Sequence, residues 1–277
     1  MSLSSVRAQN FDWQGHRGCR GIMPENTLEA FVEALNYPVT TLELDVVISK
    51  DKQVVVSHEP WMSKKICMLN GKEILDENAA QHNIYLLDYE QIREYDCGVK
   101  PNESYPYQKK IKAYKPLLAD VFNTIEPILE ESNRKVGYNI EIKSHVKGDG
   151  VYHPEIEEFT DLVVALIREH IPDSRYTIQS FDMRVLEYCH KTYPEVQLAM
   201  LVEGGTLESN MDKISFKPDI YSPYHGKLKK KDIDLGHDMG IKTIPWTVNT
   251  PGKMRKLIKM GVDGIITDYP NLIAEFN

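Results

Sequence analysis

Two histidines stand where chemistry could begin. His16 and Arg17 lie in Gln14-Gly15-His16-Arg17-Gly18, and His58 lies in Ser57-His58-Glu59; each histidine follows an apolar, strand-like run. A neutral imidazole paired with an imidazolium can take a proton from a nucleophile and give one to a leaving group near neutral pH. Between them comes Glu43-Leu44-Asp45. Residues two apart on a strand share a face, so both carboxylates point the same way from an otherwise apolar run. Held together they repel, and their pKa values rise unless a cation neutralises them. Asn139-Ile140-Glu141-Ile142-Lys143 repeats the pattern and adds a third carboxylate, Glu141. Three carboxylates with no cysteine or obvious histidine ligand describe a hard oxygen site suited to Mg2+ or Ca2+ rather than zinc. Arg17, by its planar fork, and Lys143, as a point charge, suit a phosphate. Taken singly, these residues read as salt-bridged faces of edge strands; together they read as one site.

Several strand ends must converge to assemble it, and the chain has the rhythm for that. Strand-like runs occur at 11–16, 41–47, 53–57, 137–143, 176–180, 197–202, 219–222, 242–247 and 263–267, nine runs for the eight places of a barrel. Amphipathic helices are expected at Thr27 to Asn36, Ala119 to Ser132, Pro154 to His170, Met183 to Tyr193 and Pro251 to Met260. In Pro154 to His170, apolar Ile156, Phe159, Leu162, Val163, Leu166 and Ile167 keep the helical period. This βα alternation predicts a parallel sheet covered by helices. A doubly wound nucleotide-binding sheet would place a glycine-rich phosphate loop after an early strand, whereas here that turn carries His16 and Arg17. The expected fold is therefore an α/β TIM (β/α)8 barrel with an insertion after the third strand. The insertion, about 59–116, holds Trp61, the turn-like Asn70-Gly71, a helix-like Asp88 to Tyr95 and a Tyr/Pro/Lys-rich 105–116. Such excursions usually decorate one face, often over the active site.

The chain has 277 residues, 42% of them hydrophobic, enough for one barrel domain spanning 11–277. Its net charge of −8 offers no broad footprint for nucleic acid. No apolar run approaches the roughly 20 residues that span a bilayer, so no stable membrane insertion is expected. Cys19, Cys67, Cys97 and Cys189 show no close pairing and are compatible with free thiols or one disulfide. Residues 1–10 read as a leader or flexible N-terminus: Met1-Ser2-Leu3 looks appended, and Arg7-Ala8-Gln9-Asn10 resembles the start of a mature chain whose signal peptide has been removed. That reading makes the protein periplasmic or secreted; the alternative is a cytoplasmic enzyme with a ragged start. His82, His145, His153, His170, His190, His225 and His237 read as ordinary surface or core residues, and Lys227-Leu228-Lys229-Lys230-Lys231 as a solvated helix start.

The segments GHRG, PENT, LELDV, VVVSHE, NIEIK, IQSF, PWTVN and GVDGIITDYP, in this order from His16 to Pro270, resemble the glycerophosphodiester phosphodiesterase family, whose fold is a TIM barrel. The resemblance implies hydrolysis of glycerophosphocholine, glycerophosphoethanolamine or a similar small-molecule glycerophosphodiester to glycerol 3-phosphate and an alcohol. It also implies Glu43, Asp45 and Glu141 as ligands of one divalent cation, His16 and His58 as the acid–base pair, and Arg17 and Lys143 as phosphate contacts. Glu25 would support the contacting residues from behind or would help orient the glycerol and His16, and Trp246 would line the pocket. The competing readings are a related phospholipase C- or D-like enzyme acting on a lipid headgroup, a glycoside hydrolase built on Glu43 and Glu141, and a noncatalytic phosphodiester-binding barrel.

Overall fold

The computed structural model describes residues 11–75 and 80–276; the leader-like residues 1–10 lie outside them. Eight parallel strands make the barrel: β1 (Asp12–Gly15), β2 (Thr41–Ile48), β7 (Gly137–Ile142), β8 (Tyr176–Ser180), β9 (Gln197–Val202), β10 (Ile220–Pro223), β11 (Lys242–Thr243) and β12 (Gly264–Thr267). The expected run 242–247 keeps regular pairing only at β11. Its remainder still closes the barrel, through backbone bonds from Asp263 N to Thr243 O, Ile266 N to Pro245 O and Val248 N to Ile266 O.

The ninth run resolves into β3 (Val54–Val56), which pairs antiparallel with the overhanging end of β2, Val46 opposite Val56, and takes no barrel place. The insertion follows it. Within it lie β4 (Met68–Leu69), β5 (Lys72–Glu73) and β6 (Tyr95–Asp96), a small antiparallel sheet. The expected helix at Asp88 to Tyr95 shortens to Tyr89–Ile92 because Tyr95 is drawn into β6. Cys67 and Cys97 form a disulfide beside these strands, with Met62, Ile84 and Ile92 buried around it; Cys19 and Cys189 are free and buried.

Helices α1 (Leu28–Ala34), α2 (Tyr89–Ile92), α3 (Leu118–Glu131), α4 (Ile156–His170), α5 (Met183–Thr192), α6 (Leu207–Met211), α7 (Lys230–Asp238) and α8 (Pro251–Met260) complete the chain. Local chemistry sets their ends. Thr27 Oγ1 accepts from the Ala30 N–H at the start of α1, and Gly261, at φ 96°, stops α8 in the left-handed conformation that glycine adopts without strain. Even-numbered β2 residues Leu42, Leu44 and Val46 face the helices in the main apolar core, as do Tyr138, Ile140 and Ile142 of β7. The alternate residues therefore point inward. At the catalytic end these are Glu43, Asp45 and Glu141, and on the far side of the barrel the interior is closed by Ala199, Ile220, Ile244 and Ile266.

The Cys67–Cys97 bridge spans 30 residues, and a loop of that length contributes roughly 3.5 kcal/mol in the chain-entropy picture. Replacing both cysteines with serine should lower the denaturant midpoint, followed by circular dichroism, and added reductant should lower it in the native protein but not in the variant.

Candidate active site

Strand register brings the carboxylates together. Asp45 of β2 lies directly beside Glu141 of β7, and Glu43 beside Asn139. Oxygens of Glu43, Asp45 and Glu141 all come within 4.8 Å of one another, and all three residues are buried. Burial and the neighbouring Asp45 hold the Glu43 carboxyl well above the usual range. Burial also pushes Glu141 up, against the pull of Lys143. Asp45 is likewise buried, but Arg17, His58 and Lys143 outweigh that and hold it far below the ordinary value. A trio whose burial is compensated at Asp45 but not at Glu43 or Glu141, made only of oxygen donors, fits a hard divalent cation.

The β1–α1 turn sets the cation side. Arg17 (φ 50°), Gly18 (φ 81°) and Asn26 (φ 56°) are left-handed, and a Cβ on Gly18 would lie 2.7 Å from the Ala30 carbonyl carbon of α1. This tight turn aims Arg17 inward. Its backbone N–H donates to Glu43 Oε2 (2.9 Å), its Nε lies 3.3 Å from Asp45 Oδ2, and its Nη1 donates to Glu25 Oε1 (2.6 Å). Lys143 Nζ reaches Glu141 Oε1 (2.7 Å) and Asp45 Oδ1 (3.7 Å). Asn26 Nδ2 donates to Asp45 Oδ2, and Gln179 Nε2 donates to Glu43 Oε1.

Each histidine is backed by a carboxylate. His16 Nδ1 is 2.5 Å from Asp268 Oδ1, and His58 Nδ1 is 3.1 Å from Glu59 Oε1. Burial depresses the His16 pKa in spite of Asp268, favouring the neutral ring. Burial would raise Glu59, but its bond to His58 together with the charges of His58, Lys115 and Arg17 outweighs that and holds it at about 2. The backbone before His58 is held against β2 because Ser57 N donates to the Asp45 carbonyl (2.9 Å), while buried Lys115 donates to Ser57 Oγ (2.8 Å). Both imidazoles, Arg17, Glu43, Glu141 and Lys143 line a cavity of about 180 Å3, with Phe181 and Trp246 on its apolar wall. Trp246 is fixed by its Nε1 bond to the Ser222 carbonyl.

The expected site residues thus converge, and of the two places open to Glu25 it takes the supporting one. Glu25 bridges Arg17 Nη1 and Arg20 Nε, each at 2.6 Å, and makes no bond to His16. A larger cleft of about 570 Å3 opens at the opposite end of the barrel beside Asp12. Its arginines are engaged structurally, Arg134 by the carbonyls of Leu35, Tyr37 and Val39, and Arg175 by Glu126.

The sequence profile of the glycerophosphoryl diester phosphodiesterase family matches residues 16–272. The chain belongs to that family. A glycerophosphodiester phosphodiesterase from Caldanaerobacter subterraneus subsp. tengcongensis is 29% identical over 258 residues, covering 93% of this chain and 94% of the relative. Lysophospholipase D GDPD1 of Rattus norvegicus is 26% identical, covering 94% and 84%. A crystal structure from Silicibacter pomeroyi superposes with a TM-score of 0.82 at 26% identity, covering 94% and 91%. A phosphodiesterase from Oleispira antarctica in complex with the product sn-glycerol-3-phosphate has a TM-score of 0.76 at 19% identity, covering 97% and 98%, a likeness of fold. Membership of this family sets aside the glycoside hydrolase and noncatalytic readings.

Several side chains of this enzyme's site carry no individual mark in the sequence. Asn26 and Asp268 lie inside quoted motifs, PENT and GVDGIITDYP, and Gln179 inside IQSF, but nothing in one sequence tells which member of a motif faces inward. Asn249 likewise closes PWTVN, while Arg20 and Lys115 stand outside every quoted motif.

Because the Glu43 carboxyl is held above its usual range and must ionise to become a ligand, binding of Mg2+ or Ca2+ to the acidic trio should release a proton to an extent that grows as the pH is lowered. Calorimetric titration of metal-free enzyme in buffers of different ionisation heat reads that proton. In Glu43→Gln the buffer dependence should disappear, and its persistence would place the proton elsewhere.

Proposed function

We propose that the enzyme hydrolyses glycerophosphodiesters, such as glycerophosphocholine or glycerophosphoethanolamine, to glycerol 3-phosphate and the free alcohol by acid–base catalysis at His16 and His58. The observation that carries this reading is the convergence of three buried carboxylates and two carboxylate-backed imidazoles on one small cavity. Glu43, Asp45 and Glu141 would hold one divalent cation, Mg2+ or Ca2+. When bound, such an ion polarises the phosphoryl oxygen and lowers the pKa of a nearby hydroxyl.

The chain's own groups do the rest. Arg17 and Lys143 offset charge building on the phosphoryl oxygens. One imidazole takes the proton of the attacking hydroxyl, from water or from the substrate's own 2-hydroxyl, and the other returns a proton to the departing alcohol. Should a cyclic phosphate form, the two exchange roles when water opens it. Glu25 keeps Arg17 aimed at the cavity by pairing with it and with Arg20. A cavity of about 180 Å3 suits one small polar moiety, so the second substituent would lie outward along Phe181 and Trp246. That half-exposed aromatic wall, extended by Tyr224, favours as second reading a substrate with one acyl chain, of the kind named in the rat lysophospholipase D.

We also place the enzyme in an oxidising compartment, the periplasm or the exterior. The Cys67–Cys97 bridge supports this, because disulfides persist there and are rare in the cytosol. Among the described residues no helix is long and apolar enough to cross a membrane.

His16→Ala and His58→Ala should each lower kcat by at least about a hundredfold with the circular dichroism spectrum unchanged. Chelation should abolish glycerol 3-phosphate release, and Mg2+ or Ca2+ should restore it. Near wild-type turnover in either variant, or in the presence of chelator, would overturn the assignment.

A further inference from the structure

One side chain of the insertion reaches the carboxylate that backs His16. Tyr105 Oη donates to Asp268 Oδ2 at 2.8 Å, while Asp268 Oδ1 lies 2.5 Å from His16 Nδ1. Asn249 Nδ2 donates to the same Oδ2 (2.6 Å), and Asn249 Oδ1 accepts from the Asp268 N–H (3.0 Å). Asp268 is therefore buried with both oxygens committed, one to the imidazole and one to donors from two separate chain segments.

The segment bearing Tyr105 is built as a strap. At its base Cys97 N donates to Ala113 O, and Ile111 N donates to Gly98 O. A Cβ on Gly98 would lie 2.2 Å from Ile111 O, so only glycine permits that close return. The Cys67–Cys97 disulfide pins this base to the rest of the insertion. Across the top, Gln108 Nε2 donates to Arg20 O, Lys109 N donates to Ile22 O, and the Arg20 guanidinium stacks 4.8 Å from the Tyr105 ring centre. Most strap residues around Tyr105 are exposed, and Tyr107 is 92% exposed. A strap held for packing alone would bury its apolar bulk; this one turns Tyr107 to solvent and sets the Tyr105 hydroxyl on Asp268.

We propose that Tyr105 is a positioning residue for the acid–base chemistry: its hydroxyl locks the Asp268 carboxylate, and Asp268 in turn fixes the ring orientation and tautomer of His16. This rests on the role given to His16 above. A carboxylate that accepts on both oxygens cannot rotate, so the proton on His16 Nδ1 stays in place and Nε2 is left facing the cavity as the working nitrogen. The insertion is thereby part of the reacting assembly although it contributes no group to the cavity's metal or phosphate end.

Tyr105→Phe deletes the hydroxyl and keeps the ring on Arg20. It should lower kcat about tenfold, the size expected for one lost hydrogen bond to a charged group, with KM within about twofold. Tyr107→Phe, on the same strap, should leave kcat unchanged. In an Asp268→Asn background Tyr105→Phe should cost little more, since its effect runs through that carboxylate. The nitrogen-15 resonances of His16 should shift in Tyr105→Phe and stay fixed in Tyr107→Phe. Unaltered kcat with unmoved His16 resonances, a loss confined to KM, or losses that add fully in the double variant would each overturn the proposal. If the metal-loaded wild type cleaves no glycerophosphodiester, the functional reading fails, while the His16 resonances still decide whether Tyr105 governs that imidazole.

Discussion

Three carboxylates taken out of water at one end of a barrel form the constraint to which the surrounding structure answers. Glu43, Asp45 and Glu141 lie on adjacent strands in register, and each would carry a heavy desolvation cost if left charged and alone. The neighbouring groups lower that cost. The left-handed turn at Arg17 brings a guanidinium and a backbone N–H to bear on Asp45 and Glu43. Lys143 folds back along its own strand to Glu141, and Asn26 and Gln179 donate from two further directions. The cations already present satisfy Asp45 more fully than Glu43. That unequal neutralisation leaves room in the charge balance for one more positive ion.

The same asymmetry runs through the two histidines. His16 is largely enclosed against a carboxylate that is itself fully bonded, while His58 sits more open against Glu59, in a segment that returns from the β2–β3 overhang. One imidazole belongs to the rigid barrel and the other to its decorated margin.

Much of this is legible in the sequence. Period-two alternation exposes Glu43, Asp45 and Glu141 as inward-facing, and strand endings mark His16 and His58, because local geometry determines both. The nine strand-like runs are also real, but period alone cannot tell that Val54–Val56 pairs backwards on β2, since a strand's direction depends on its partner. What stays hidden is held at long range. Asp268 stands 252 residues from His16, and Tyr105 stands 163 from Asp268; neither pairing leaves a periodic trace. The cysteines are undecided for the same reason, their pairing being fixed by how the insertion folds. Glu25, for which the sequence leaves two places open, lies behind the cavity between two arginines, where the nearest charges compete most strongly for it.

The barrel interior carries one further thread. Gln14 Nε2 donates to Asp12 Oδ2, Asn139 Nδ2 donates to the side-chain oxygens of both Gln14 and Gln179, and Gln179 donates to Glu43. These amides form a column from the floor of the barrel to its reactive rim, and each depends on the one below for its orientation. An amide that flips anywhere along the column would present an oxygen where Glu43 now meets an N–H. The portable unit of this active site is therefore taller than its visible pocket: a designer moving the acidic trio onto another barrel would have to carry the column beneath it as well.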